Sequence, residues 1–298
     1  MVKIKEQMEK KSIAILLATY NGVQYLREQI ESLYAQTFTD WTIYVHDDGS
    51  TDGTQRILEE YEAKKDNFVV LRYPSQKGAS NNFFSLLSNV AADYYFFSDQ
   101  DDVWMPSKIE KCMIEMRRVE NLHYDTPTIV CCDARVTDIQ LNVTSHSLWQ
   151  QAGTHPEFLL SFDESAATPF VTGCTMLLNK KAKESILWDK THYATMHDAF
   201  ITLCVLKARG VVSPLYESLI YYRQHGDNTL GAYSSVKSGI LYKLSHLKSV
   251  LRTDWALLRM LHALDYGSVF KFLKYKRLYK QKVSRKLSLL NGEDIKEA

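Results

Sequence analysis

Tyr94-Tyr95-Phe96-Phe97-Ser98-Asp99-Gln100-Asp101-Asp102 decides the reading of this chain. Four aromatic residues in a row read as a buried strand, and Pro106 shortly afterwards reads as a helix start. Three carboxylates at the end of a buried strand repel one another and are costly to desolvate, so a cation is expected to neutralise them. Oxygen ligands on a short loop suit a hard divalent ion such as Mg²⁺ or Mn²⁺, usually shared with substrate phosphates. The plain alternative is a solvated acidic turn that caps the next helix. A second acidic strand end, Asp47-Asp48, weighs against it.

Outward from this stretch, strand and helix signals alternate over roughly the first 125 residues. Ile13–Ala18, Trp41–His46, Phe68–Leu71 and Tyr94–Ser98 are apolar runs. Between them, Val23, Leu26, Ile30 and Leu33 recur at helical spacing, as do Ile57, Leu58 and Tyr61, and then Phe83, Phe84, Leu87 and Val90. Ile109, Met113 and Met116 line the helix after Pro106. Continuous apolar strands alternating with helices predict a parallel sheet covered on both faces, with ligands outside the carboxyl ends of its strands. Asn21-Gly22, Asp47 to Asp52 and Asp99 to Asp102 all fall at that edge. Asp47-Asp48-Gly49-Ser50 offers a carboxylate to a base or ribose beside a glycine, while Thr51 or Asp52 suits the cap of the following helix.

The pattern loosens after residue 126. Thr128–Asp133, Thr172–Leu178 and Tyr216–Tyr222 read as strands and Phe200–Ala208 as a helix closed by Gly210. From about Tyr233 the chain is helical, basic and aromatic. With 298 residues, 45% hydrophobic, 24% charged and a net charge of +1, the chain has material for one large domain or two small ones. The balanced charge gives no bias toward nucleic acid. Five cysteines, Cys112, Cys131, Cys132, Cys174 and Cys204, show no CxxC spacing and lie mostly in apolar runs, so buried free thiols are expected rather than disulfides or zinc ligands. The apolar run Ile13–Ala18 is too short for a signal peptide, and no run approaches a membrane span. The expectation is a cytoplasmic protein, with peripheral contact at the inner face of the membrane through its tail.

Leu17-Ala18-Thr19-Tyr20-Asn21-Gly22, Asp47-Asp48-Gly49-Ser50-Thr51-Asp52 and Ser98-Asp99-Gln100-Asp101-Asp102-Val103-Trp104 together resemble glycosyltransferase family 2, the inverting sugar transferases of the GT-A fold. Within it, Asp99 to Trp104 and Tyr221-Tyr222-Arg223-Gln224-His225-Gly226-Asp227-Asn228 look most like bacterial rhamnosyltransferases. The resemblance implies an α/β, GT-A (nucleotide-diphospho-sugar transferase) fold, a mostly parallel sheet flanked by helices. Residues 1–231 would form that domain, 12–125 its nucleotide-sugar half and 126–231 its acceptor half, with 232–298 a basic amphipathic helical extension.

It also implies roles by position. Thr19, Tyr20 and Asp48 would hold the nucleoside, and Lys77 and Gly78 would contact the donor, with Lys77 replacing the commoner asparagine. Asp99 would reach ribose or sugar. Asp101 would bind Mg²⁺ or Mn²⁺, with His225 completing the site and Asp99 a further candidate ligand; Asp102 either joins them or caps the next helix. Asp198 matches the general base, and His197 stands where the family usually has an acid. Arg223 would bind the donor as a planar fork for the diphosphate, with an exposed strand-end arginine nearly as good a reading.

The activity implied is metal-dependent, inverting transfer from a nucleotide-diphosphate sugar, dTDP-L-rhamnose before a UDP-sugar, to a polysaccharide or lipid-linked acceptor. A nucleotidyltransferase is disfavoured because Thr19-Tyr20-Asn21-Gly22 replaces the expected basic glycine-rich loop. A non-catalytic carbohydrate-binding protein would be expected to lack Asp101 or Asp198. In the tail, Lys271, Lys274, Lys276, Arg277 and Lys280 interleave with Trp255, Phe270, Phe272 and Leu273. That composition suits an anionic membrane surface, at on the order of 1 kcal/mol per cation, or packing on the catalytic domain or on a second copy in a homodimer.

Overall fold

Ile13–Thr19 forms β1, and every one of its residues is buried. A strand with no polar face needs cover on both sides, and the computed structural model, which describes residues 11–225 and 247–290, supplies it. After α1 (Leu26–Tyr34) comes β2 (Thr42–Asp47), and after α2 (Thr54–Glu62) comes β3 (Phe68–Val70). Then α3 (Ala79–Asn89) leads to β4 (Tyr94–Ser98). β1 pairs in parallel with both β2 and β4, and β2 with β3. Neighbouring strand residues face opposite layers: Leu16, Ala18 and Phe97 join one apolar cluster, and Ile15, Leu17 and Phe96 the other.

The second half adds β5 (Val103–Trp104), α4 (Lys108–Leu122), β6 (Thr128–Thr137), β7 (Val143–Ser145), α5 (Leu148–Gln151), α6 (Phe162–Ala167), β8 (Met176–Asn179), α7 (Lys180–Glu184), α8 (His197–Lys207) and β9 (Val211–Arg223). Among the described residues one nine-stranded sheet results, in the order β3-β2-β1-β4-β8-β6-β9-β5, with β7 beside β6. β8 runs antiparallel to β4 and β6, whereas β6 and β9 are parallel. The chain leaves β1 toward β2 on one side and toward β4 on the other, and the carboxyl ends flanking such a reversal open a crevice.

Several expected boundaries differ: β6 runs on to Thr137 rather than ending at Asp133, and β9 opens at Val211 rather than Tyr216, because the two strands pair from Thr128 with Val211 onward. Val23 lies before α1 and is exposed, because Gly22 begins a turn there: its carbonyl accepts from the amides of Tyr25 and Leu26. The stretch expected as a strand from Thr172 opens instead with a 3₁₀ turn, Gly173–Thr175, before β8. And α8 starts three residues earlier than expected, at His197, because Met196 is extended and the chain turns helical directly after it. All five cysteines are free and buried.

The two C-terminal helices, Leu247–Ala263 and Val269–Leu290, pack on the rest of the chain. Met260, Leu261, Leu264 and Tyr266 are buried in the first apolar cluster. Lys271, Lys282 and Lys286 pair with Asp163, Glu164 and Glu157, and the Tyr279 hydroxyl accepts from the His155 amide at 3.0 Å. Among the described residues no helix is long and apolar enough to cross a membrane.

Candidate active site

A cavity of about 970 Å³ opens at the carboxyl ends of β1, β2 and β4. Thr19, Tyr20, Asp48, Lys77, Gly78, Asp99, Asp101, Asp198 and His225 all line it, so one space collects residues spread over some 200 positions. Arg223 is not among them.

Three loops form the rim, and each is tied to another. Gln100 pairs with the backbone of Tyr20 in both directions: its Oε1 accepts from the amide and its Nε2 donates to the carbonyl, each at 2.8 Å. A β-carbon on Gly22 would stand 2.2 Å from that Oε1, so only glycine permits the approach. Asn21 accepts from the Thr51 amide at 2.9 Å and donates its own amide to Ser50 Oγ at 2.7 Å. Asp52 accepts from the Thr54 amide at the start of α2 and from the Val23 amide, at 2.9 and 3.0 Å. The N-cap position of α2 is Gly53, and of the two residues it is Asp52 that meets the first helical amide. Thr51 serves the cross-loop bond.

Asp48 sits in a nest of donors. Its Oδ1 accepts from Ser75 Oγ at 2.7 Å and from the amides of Gln76 and Lys77 at 2.6 and 3.1 Å, and its Oδ2 accepts from the Gly78 amide at 2.7 Å. Burial alone would raise its pKa, but these bonds, led by Gly78, outweigh it and hold the carboxyl below the ordinary range. Lys77 takes a left-handed backbone, φ 57°, so that successive amides converge on the carboxylate. Thr19 is buried and bonds Asp47 Oδ1 at 2.9 Å, whereas the Tyr20 side chain is exposed at the mouth.

On the opposite wall, Asp101 Oδ2 lies 2.7 Å from His225 Nε2. Tyr25 stacks on the His225 ring, centroids 5.1 Å apart, and the Arg223 guanidinium lies 4.7 Å from the Tyr25 centroid. Arg223 is buried rather than exposed. Its Nε donates to the Asp101 carbonyl at 2.8 Å, its Nη1 to the Ile139 carbonyl at 2.6 Å, and it pairs with Glu28. The planar fork thus grips the loop that carries Asp101.

Burial, then the charges of Asp101 and Asp198, push Asp99 up to about 7. Asp102 is buried and pushed well up for the same leading reason; its Oδ1 accepts from the Arg223 amide at 3.2 Å, and it makes no cap on α4. Asp99, Asp102 and Cys174 converge, but Cys174 is a buried thiol pushed far up by burial and a poor match for a hard cation. Asp101 and His225, beside Asp99, offer oxygen and nitrogen donors directly to the cavity, and this donor set fits Mg²⁺ or Mn²⁺.

Asp198 stands in the first turn of α8, where the helix end favours an anion. Each of its oxygens accepts one backbone bond: Oδ2 from the Gly173 amide at 3.0 Å, Oδ1 from the Ala199 amide at 2.6 Å. Each keeps a lone pair for a further proton. His197 beside it is buried among Phe83, Phe84 and Phe97, its ring centroid 4.4 Å from that of Phe83. Among the described residues neither ring nitrogen has a hydrogen-bond partner, and burial lowers its pKa. The ring is therefore neutral at pH 7. A β-carbon on Gly173 would come within 2.6 Å of His197 Nε2. Gly173→Ala is accordingly expected to destabilise the fold by about 1–3 kcal/mol and to lower turnover more than donor affinity, because the displaced amide no longer orients Asp198. An unchanged melting temperature with unchanged kinetics would show that the ring yields freely.

Sequence reading overlooked Lys108 and Gln100. Lys108 is fully buried, its Nζ donating to the Cys174 carbonyl at 2.8 Å and standing 3.0 Å from the Trp104 ring centroid. Burial lowers its pKa to about 8, and its charge partly offsets those of Asp99 and Asp102. Its position one helical turn before Cys112, on the apolar stripe of α4, was the available signal.

Residues 14–187, more than half of the chain, match the family model for glycosyl transferase family 2, and the chain belongs to that family. It is 29% identical over 233 residues to the dTDP-rhamnosyl transferase RfbG of Shigella flexneri, covering 74% of this chain and 76% of that protein. Among solved structures it is similar to Staphylococcus aureus TarS 1–349 in complex with UDP, with a TM-score of 0.53 at 15% identity, covering 91% of this chain and 92% of that one. It is also similar to the mannosyltransferase PcManGT from Pyrobaculum calidifontis in complex with GDP-Man and Mn²⁺, with a TM-score of 0.52 at 13% identity over 95% of this chain and 88% of that one. The fold is that of the GT-A glycosyltransferases.

Proposed function

We propose that the protein transfers a 6-deoxyhexose, L-rhamnose from dTDP-L-rhamnose, to a hydroxyl of a bacterial surface polysaccharide or its lipid-linked precursor, with inversion at the anomeric carbon. The observation that carries the reading is the placement of Asp198 in the same cavity as Asp48, Asp99, Asp101 and His225. The similarity to a dTDP-rhamnosyl transferase supports the donor.

In this reading Asp48, Thr19 and Tyr20 hold the nucleoside, and Lys77 and Gly78 lie along the donor. Asp198, fixed by the amides of Gly173 and Ala199, takes the proton of the acceptor hydroxyl. The hydroxyl oxygen then bonds to the anomeric carbon as the bond from that carbon to the diphosphate breaks, and dTDP leaves with the electron pair. Asp101 and His225, with Asp99 beside them, would hold Mg²⁺ or Mn²⁺, which supplies positive charge for the departing diphosphate. Arg223 keeps that loop in place through the Asp101 carbonyl. A single base and a single displacement leave the product with the opposite anomeric configuration.

Nucleotide release measured across dTDP-L-rhamnose, UDP-glucose and UDP-galactose, followed by NMR of the product, tests both halves. Fastest turnover with dTDP-L-rhamnose and an inverted linkage are expected. Preference for a UDP-hexose would replace the donor, and a retained configuration would overturn the mechanism.

A further inference from the structure

We infer that the outward face of the Val269–Leu290 helix is a docking surface for an anionic lipid bilayer. The inference rests on this helix alone and is independent of which sugar is transferred. One side of the helix is occupied: Lys271, Lys282 and Lys286 pair with acids of the domain, and Tyr279 bonds the His155 amide. The other side carries Lys274, Arg277 and Lys280, all exposed and none in an ion pair among the described residues. Residues 269–290 contain no acid, although the whole chain has a net charge of only +1. The lysines on the occupied side are neutralised by acids of the domain, so the unpaired positive charge among Lys274, Arg277 and Lys280 faces outward.

Large apolar side chains accompany it. Phe270 is 84% exposed and Leu273 54%, and at three- and four-residue spacing they share a side with Lys274 and Arg277. Cations alone would serve any polyanion. Cations framing an exposed phenylalanine and leucine match a surface whose headgroups are anionic and whose interior is apolar. Seating the helix there would bring the domain to a membrane-borne acceptor.

Removing the tail is a poor test, because Met260, Leu261, Leu264 and Tyr266 belong to the core and truncation would uncover it. Point changes on the outward face avoid this. Full-length protein should co-sediment with phosphatidylcholine vesicles containing phosphatidylglycerol, not with pure phosphatidylcholine, and release as salt rises. The triple variant Lys274→Glu, Arg277→Glu, Lys280→Glu should lose about tenfold or more in vesicle affinity. The equally charged control Lys64→Glu, Arg117→Glu, Lys180→Glu, at exposed positions elsewhere, should keep it. Phe270→Ser with Leu273→Ser should weaken binding at unchanged charge. Melting curves matching wild type would show that each variant is folded. No binding at low salt, equal loss in both triple variants, or indifference to Phe270→Ser with Leu273→Ser would overturn the bilayer reading, the last in favour of a soluble polyanion.

Discussion

Asp198→Asn is expected to lower turnover by on the order of 10²–10⁴-fold with donor affinity nearly unchanged. An asparagine keeps the shape but cannot take the acceptor's proton, and the residues proposed to hold the donor, Asp48 and its surrounding amides, lie on another loop. A small structural penalty should accompany the change. The carboxylate accepts from Gly173 on one oxygen and Ala199 on the other, whereas an amide offers one oxygen and turns its NH₂ against the second donor. One lost bond of this kind costs about 1 kcal/mol. The measurement is a pair: steady-state turnover for the chemistry, and calorimetric titration with the nucleotide for binding. Turnover within a few-fold of wild type would mean that a different group, or solvent, removes the proton.

Asp101→Asn is expected to reduce transfer by about a hundredfold or more, because a neutral amide is a weak ligand for a divalent ion. The loop should hold its shape, since Arg223 grips Asp101 through the backbone carbonyl, which the substitution leaves in place. The metal dependence should therefore shift while the melting temperature barely moves. Raising Mn²⁺ or Mg²⁺ should recover part of the activity, and a strong chelator should silence the wild-type enzyme. Undiminished wild-type activity in chelator would remove the metal from the mechanism.

The cavity's polar residues answer to two kinds of physical control. Thr19, Asp48, Asp99 and Asp101 are placed by strand ends, so their convergence follows from the order of β2, β1 and β4 in the sheet. Asp198 and His225 arrive from the second half of the chain, and their alignment depends on packing. Gly173 must be bare of a side chain for His197 to fit beneath it, and His197 must stay uncharged among three phenylalanine rings. A charged residue placed there without a partner would be costly to bury.

The parallel half of the sheet, and the edge at which its loops meet, were legible in the order of residues alone. Uninterrupted apolar runs such as Ile13–Thr19 and Tyr94–Ser98 have no alternative to burial on both faces, and a loop leaving such a strand must emerge at its end. The acidic residues there were visible because a carboxylate is costly to bury without partners and so marks where an apolar strand ends. Tertiary structure decided what depends on distant partners. Arg223 was legible as a cation at a strand end; only the folded chain turns it inward onto Glu28 and the carbonyls of Asp101 and Ile139, contacts separated by 84 to 195 positions. Lys108 reads locally as the first residue of a helix, yet its ammonium is buried because Trp104 and the Cys174 carbonyl wait for it. The C-terminal helices show the same division. Their basic, aromatic composition was plain, but which lysines meet Asp163, Glu164 and Glu157 and which face outward depends on how the helix is seated, and periodicity alone does not choose the side.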